Sequence, residues 1–205
     1  SELNGSQFAV VATQNDTTVI ITPAADAAGY AAGVPYMTSL NRGDVYQLRS
    51  DKDTPADLSG SLVMADKPIG VFGSHQCAFI DSPSTFFCDY LVEQMLPIHR
   101  AGTTFHATPL ATRTGNILCR VTATVDGTDV LLDGVFQATL LAGETHDVTL
   151  AAAAEITATK PVQVAQFSPS SDHDGVVDSD PFMVNLQHTG QFLDRYEVCL
   201  PGHGF

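Results

Sequence analysis

The sequence predicts an all-β protein: two tandem, duplicated β-sandwich-like lobes with at most one short helix. Three observations carry that prediction. Short runs of β-branched and aromatic residues alternate with clusters of turn-forming residues along the chain. No segment holds a sustained 3.6-residue apolar stripe capped at both ends. Three stretches of the first half recur, in the same order, in the second.

The elements follow from residue chemistry. Phe8-Ala9-Val10-Val11-Ala12-Thr13 is a β-branched run, Gln14-Asn15-Asp16-Thr17 a turn, and Thr18-Val19-Ile20-Ile21-Thr22 a strand that ends at Pro23. This pair reads as a hairpin. Further strands are expected at Val45–Leu48, Ser61–Met64 and Ile69–Phe72. Tyr90-Leu91-Val92-Glu93-Gln94-Met95 is the best helix candidate, limited to two turns because Pro97 stops it. Ala151 to Ala154 favours a helix by propensity, but its setting argues for a strand edge or a loop.

The repeat sets the domain organisation. Thr128 stands 111 residues after its counterpart Thr17, Gly143 stands 100 after Gly43, and Lys160 stands 93 after Lys67. The shrinking offsets place longer loops in the first copy, around Ala24–Tyr36 and Asp51–Asp57. Each copy supplies a hairpin, a glycine turn that opens a strand, and a strand–Lys-Pro–strand corner. Proline cannot donate to a ladder, so Lys67-Pro68 and Lys160-Pro161 belong at strand starts or edges. The expected lobes are residues 1–105 and 106–205.

Of 205 residues, 44% are hydrophobic and 16% charged, the composition of a folded chain. Nine basic residues against 23 acidic ones give a net charge of −14, which repels phosphate backbones and anionic membrane surfaces. No nucleic-acid partner and no membrane insertion are expected, because no apolar stretch approaches the ~20 residues of a spanning helix. Ser1 to Gly5 shows no signal-peptide pattern.

Four cysteines without a CxxC pair, Cys77, Cys88, Cys119 and Cys199, fit two disulfides better than a zinc or redox motif. Three pairings are open. Cys77 and Cys88 flank the turn-like Asp81-Ser82-Pro83-Ser84, and bridging them leaves Cys119 for Cys199. Four reduced, buried thiols are the competing arrangement.

The acidic loop Asp172-His173-Asp174-Gly175-Val176-Val177-Asp178-Ser179-Asp180 is the most site-like stretch. Asp172, Asp174, Asp178 and Asp180 are candidate calcium ligands, since Ca2+ takes six to eight oxygens, although the spacing is not that of an EF-hand. A solvated Asp-Gly turn competes with that reading. His75, His99 and His106 near Cys77, Cys88 and Asp89 make a zinc site conceivable, but a disulfide uses the same thiols. No Gly-x-Ser-x-Gly, HExxH or glycine-rich phosphate loop occurs, so no catalytic residues are assigned. Tyr30, Tyr36, Phe86 and Phe87 lie in loop-like stretches, and Gly29 to Gly33 reads as a loop tip of the kind that carries recognition.

Several longer motifs run from Phe8 to Leu200. They include Leu40-Asn41-Arg42-Gly43-Asp44-Val45-Tyr46-Gln47-Leu48, Ala65-Asp66-Lys67-Pro68-Ile69-Gly70-Val71-Phe72 with His75-Gln76-Cys77, and Cys88-Asp89-Tyr90-Leu91-Val92-Glu93-Gln94. Val10-Val11-Ala12-Thr13 with Asn15-Asp16-Thr17-Thr18-Val19, Lys160-Pro161-Val162-Gln163-Val164-Ala165-Gln166-Phe167, Asp180-Pro181-Phe182-Met183 and Gln191-Phe192-Leu193 complete the set. In these motifs the chain resembles the N-terminal domain family of IgG Fc-binding protein, found also in bacterial surface and secreted proteins. The resemblance implies a secreted or cell-surface setting and a role in mucus, matrix or adhesion. It carries over no binding or catalytic residue.

The reading is a non-catalytic extracellular adhesion or recognition module of a larger protein, binding a protein or glycan ligand through loops. The alternative is a structural spacer, stabilised by calcium in one version, whose ligand-binding function lies in neighbouring domains. Oligomeric state is left open.

Overall fold

A computed structural model describes residues 5–51, 56–80, 88–111, 113–114, 116–170, 173–176 and 179–198. Among these the chain is all-β, with several antiparallel sheets and no α-helix. The first half contributes β1 (Ser6–Ala12), β2 (Thr17–Thr22), β3 (Tyr36–Leu40), β4 (Val45–Arg49), β5 (Leu62–Ala65), β6 (Ile69–Ala78) and β7 (Asp89–Gln94). A 3-10 turn, η1 (Ile98–Arg100), leads to β8 (Gly102–Ala107). The second half continues with β9 (Ile117–Ala123), β10 (Thr128–Leu132), β11 (Val135–Leu140), β12 (Thr145–Leu150), β13 (Ala154–Phe167), β14 (Met183–Asn185) and a second 3-10 turn, η2 (Thr189–Gln191).

In the first sandwich the sheet β4-β1-β6-β7 faces the sheet β3-β2-β5. Alternate residues of each strand, Phe8, Val10 and Ala12 from one sheet and Val19 and Ile21 from the other, meet in one core with Leu40, Leu48 and Leu58. A strand's side chains alternate between faces, so this pattern leaves the other face of each strand outside. The second sandwich is built from one seven-stranded sheet that folds over on itself. The long β13 pairs with β10 through Ile156–Ala158 and with β9 through Val162–Phe167, so one strand serves both faces. Its core gathers Phe105, Ile117, Cys119, Val121, Val130, Ile156, Val162 and Val164.

The expected hairpin of β1 with β2 does not form. β1 pairs with β4 and β6, and β2 pairs with β3 and β5. Both strands bury alternate residues toward the same core from opposite sides, so the turn between them crosses from one sheet to the other. Asp16 takes a positive φ of 54° in that turn. Lys67 Nζ donates to the carbonyls of Asn15 and Asp16 at 2.6 and 2.8 Å. The helix candidate Tyr90–Met95 is likewise a strand, β7. Its backbone partners lie on β6, with Ser74 opposite Val92, and tertiary pairing overrides the local pattern. Ala154 opens β13, and Ala151 to Ala153 form a turn and loop.

Register in the two halves corresponds at many strand positions, except that β10 and β11 slip by one residue after Val130 where β2 and β3 do not. Ala12 faces Ile69, and their counterparts at the sequence offsets, Ala123 and Val162, face each other. The same holds for Val11–Val45 and Thr122–Thr145, for Thr17–Leu40 and Thr128–Leu140, and for Val19–Ala65 and Val130–Ala158. Small polar contacts repeat as well. Thr13 Oγ1 donates to the Pro68 carbonyl at 2.6 Å, as Thr124 Oγ1 does to that of Pro161. Gly43 and Gly143 both take positive φ, 87° and 81°, and both donate to a β-strand end, Ala12 and Ala123. β8, which spans the expected lobe boundary, pairs with β13.

The sandwiches meet through a third apolar cluster, Ala78, Ile80 and Leu91 from the first and Phe167, Leu118, Ala165 and Met183 from the second. Arg120 on β9 adds a polar clasp, pairing with Asp57 at 2.5 Å and with Asp147 at 2.7 Å. Beside it Gly60 lies against Gly143 so closely that an added Cβ would overlap the Gly143 carbonyl oxygen. Gly29 has a similar φ, 83° against 84°, but open space around it. Gly60→Ala is therefore expected to cost about 2–4 kcal/mol and Gly29→Ala about 1 kcal/mol, read by denaturant unfolding. Equal costs would show that the junction has room to spare.

Candidate functional site

The two sandwiches differ most between β2 and β3. Their counterparts β10 and β11 are joined by Asp133-Gly134 alone, whereas residues 23–35 intervene in the first sandwich. This loop is built, not loose. Ala27 and Tyr30 exchange backbone hydrogen bonds at 3.0 and 2.9 Å, Asp26 Oδ1 accepts from Ala32 N at 2.7 Å, and Ala27 is buried in the core.

Tyr30 stacks on Tyr36 with ring centroids 3.6 Å apart and planes 9° from parallel. Tyr36 OH meets Tyr46 OH at 3.0 Å. Tyr36 lies on β3 and Tyr46 on β4, the edge strands of the two facing sheets, so the pair closes that side of the sandwich. Burial, then the hydrogen bond to Tyr46, pushes the Tyr36 phenol well above the ordinary tyrosine range; burial chiefly raises Tyr46 too. Both stay protonated and pair as neutral hydroxyls. Tyr30 remains 38% exposed and, with Asp26, Ala27, Gly29, Ala31 and Asp51, lines a shallow cavity of about 220 Å³. An aromatic face beside two carboxylates is an amphipathic contact surface. The sequence pointed to Tyr30, Tyr36 and the Gly29–Gly33 tip; it missed Tyr46, whose only sign is its place just after the Gly43 turn. Phe86 and Phe87 lie outside the described residues.

The acidic loop takes a different role from the one its composition suggests. Asp174 faces Arg113, with Arg113 NH2 2.9 Å from Oδ1 and Nε donating to Oδ2 at 3.0 Å. Their side chains are only 3% and 2% exposed. Arg113 also donates to the Ser170 carbonyl at 2.9 Å and to Ser179 Oγ, and Thr114 N donates to Asp174 Oδ2 at 2.8 Å. A fork-shaped guanidinium thus ties residues from both ends of the loop together. Asp180 is exposed and borders an open cleft of about 490 Å³ with Leu110, Pro181 and Phe182. Asp172 and Asp178 lie outside the described residues. Among the described residues no group of three or more His, Cys, Asp or Glu gathers to hold a metal ion.

Cys77 and Cys88 form a disulfide with Cα atoms 4.9 Å apart. It closes the segment between β6 and β7, the strands that supply Ala78 and Leu91 to the junction. Cys119 is buried in the second core, where burial pushes its thiol up to about 12; Cys199 lies outside the described residues. Near the bridge, His75 Nδ1 accepts from Cys77 N at 3.1 Å, an arrangement open to the neutral ring. Burial lowers the His75 pKa despite the nearby Asp57 charge. Asp57 is pulled upward by burial, but Arg120 and hydrogen bonds from Ser59 outweigh that and leave it below the ordinary carboxylate range.

Arg113→Met removes the guanidinium that Asp174 binds and should cost about 3–5 kcal/mol in denaturant unfolding; a loss under about 1 kcal/mol would show that Arg113 does not hold the loop. Acid should act on a second group of contacts. Both His75 and Asp57 are shifted down, so the stability each contributes is complete above its unfolded pKa and is lost as pH falls toward the folded one. For His75 that loss begins near 6.5, its ordinary value, and for Asp57 near 3.8. His75→Gln should flatten the decline in Tm between about pH 7 and 5 and leave the steeper acid loss intact. An unchanged slope would take His75 out of the acid response.

The sequence model of the family described as IgGFc binding protein matches residues 1–204. The human protein named IgGFc-binding protein is 34% identical over 127 residues, covering 60% of this chain and 2% of its own length. The chain thus spans a small fraction of that curated relative. No solved structure matches the chain. With a family match across nearly the whole sequence, the chain belongs to the IgGFc binding protein family.

Proposed function

We propose that this chain is a non-catalytic extracellular recognition module that engages a protein ligand through the tyrosine-bearing loop at residues 23–35. The observation that carries the reading is the contrast between halves. Strand registers correspond up to a one-residue slip after Val130, yet one connection of two residues is replaced by a thirteen-residue loop that presents Tyr30. Extra length costs loop-closure entropy and gains no core strand, which is reasonable for a segment that makes contacts outside the fold. Tyrosine gives large contact area at low entropy cost, the property that enriches it in recognition surfaces.

Two further findings support the setting. The Cys77–Cys88 bridge suits an oxidising compartment. The matched human protein is named for binding IgG Fc, so a protein ligand is the family's theme and Fc is the natural first probe. No helix among the described residues is long and apolar enough to cross a membrane.

The test is an array of extracellular glycoproteins, immunoglobulin Fc and free glycans, followed by affinity measurements on the strongest binder. Tyr30→Ala should weaken binding at least tenfold while lowering Tm by no more than about 5 °C, the cost of its lost stacking on Tyr36. Binding to free glycans alone would replace the protein ligand with a saccharide. Full affinity in the Tyr30 variant would remove the loop from the contact.

A further inference from the structure

The correspondence between halves continues past the strands that first revealed it. Met95 N donates to the Val71 carbonyl, and Leu186 N donates to that of Val164, its counterpart. β7 is then followed by η1 and β14 by η2, with Thr189 standing 91 residues after Ile98. Both 3-10 turns are flanked by extended caps and closed by the same two backbone bonds, Arg100 to Pro97 and Ala101 to Ile98 in one, Gln191 to His188 and Phe192 to Thr189 in the other.

Beyond the two turns the halves part. After η1 the chain forms β8, which leaves the first sandwich and adds itself to the second, beside the first part of β13. Its inward residues Gly102, Phe105 and Ala107 are buried, with Phe105 opposite Ile156. At the same offset of 91, β8 corresponds to Leu193–Val198. The counterparts of its three buried positions are Leu193, Tyr196 and Val198, which are apolar yet 70%, 64% and 76% exposed. The three remaining positions are Asp194, Arg195 and Glu197. Strict alternation puts Tyr196 and Val198 on one face; Leu193 joins them only across a register shift like the one that follows Gly102 in β8. Among the described residues the segment pairs with no strand, and Leu193 N donates to its own Tyr196 OH at 2.8 Å.

The matching open edge lies in the first sandwich. β5 corresponds to Glu155–Ala158 of β13, the stretch that β8 covers, but β5 pairs only with β2 among the described strands. Ile156 is fully buried under β8, whereas its counterpart Val63 is only half-buried. An open edge with a half-covered valine is a template for an added strand.

We propose that Leu193–Val198 of one copy of this chain adds as a strand to the β5 edge of a second copy, placing Tyr196 opposite Val63 and Leu193 near Ile69. The contact joins two different surfaces, so it links units head to tail and repeats along an array. It does not depend on which ligand the tyrosine loop takes.

Sedimentation velocity of the 205-residue protein should show concentration-dependent association that strengthens with ionic strength, since each unit carries a charge of −14. Tyr196→Asp should abolish association with an unchanged Tm. That variant keeps its acceptor edge, so a peptide of residues 189–198 should bind it and shift amide resonances of Leu62–Ala65. A photo-crosslinker at Val63 should capture residues 193–198 of another molecule. A wild-type protein that stays monomeric at about millimolar concentration, a Tyr196→Asp protein that associates as before, or a Val63 crosslink to any other segment would overturn the proposal.

Discussion

The Lys-Pro corner holds the whole arrangement together. At Lys67-Pro68 and again at Lys160-Pro161 the chain passes from one face of a sandwich to the other. At each the lysine ammonium is tied to carbonyls of the facing turn, Asn15 and Asp16 in one case and Asp126 at 2.5 Å in the other. A turn that crosses between two sheets offers its carbonyls no strand partner, and a cation satisfies them without a ladder. Thr13 and Thr124 then bond the proline carbonyls. Because a strand's faces alternate with a period of two, a slip of one residue at this corner would turn Val71 or Val164 out of its core. The corner thus sets register, and register sets what is buried.

Given two such sandwiches, the junction between them decides which segments are free for function. The apolar cluster around Ile80, Leu91 and Phe167 and the Arg120 clasp consume one flank of each. The disulfide fixes β7 against β6 at this flank, and Arg113 fastens the acidic loop nearby. The opposite side of the first sandwich, closed by Tyr36 and Tyr46 and extended by the loop that carries Tyr30, stays open to solvent. Geometry therefore places structural polar groups toward the junction and the loop that carries Tyr30 away from it.

Much of this was legible in residue chemistry because it is local. A glycine at positive φ and a proline without a donor restrict their own neighbourhoods, so Gly43 and Gly143, or Pro68 and Pro161, announce the same turn wherever they occur. The apparent hairpin of β1 and β2 was misleading for the same reason. Its turn chemistry is compatible with two strands in one sheet or in two, and only the facing core distinguishes them. Tyr90–Met95 carried no strand-specific local sign, since its partners sit on β6. The acidic loop invited an ion because its composition resembles a ligand set, while the residue that binds Asp174 lies 61 positions away in the chain.

By itself the sequence determined the all-β class, the position of several turns and the Cys77–Cys88 proximity. Each depends on backbone freedom or on spacing within a short stretch. Only the tertiary structure decided which strands share a sheet, that Tyr46 backs Tyr36, that Arg113 claims Asp174, and that β8 serves the second sandwich. Those outcomes depend on which distant surfaces bury each other, and burial is a property of the assembled chain that no window of neighbouring residues contains.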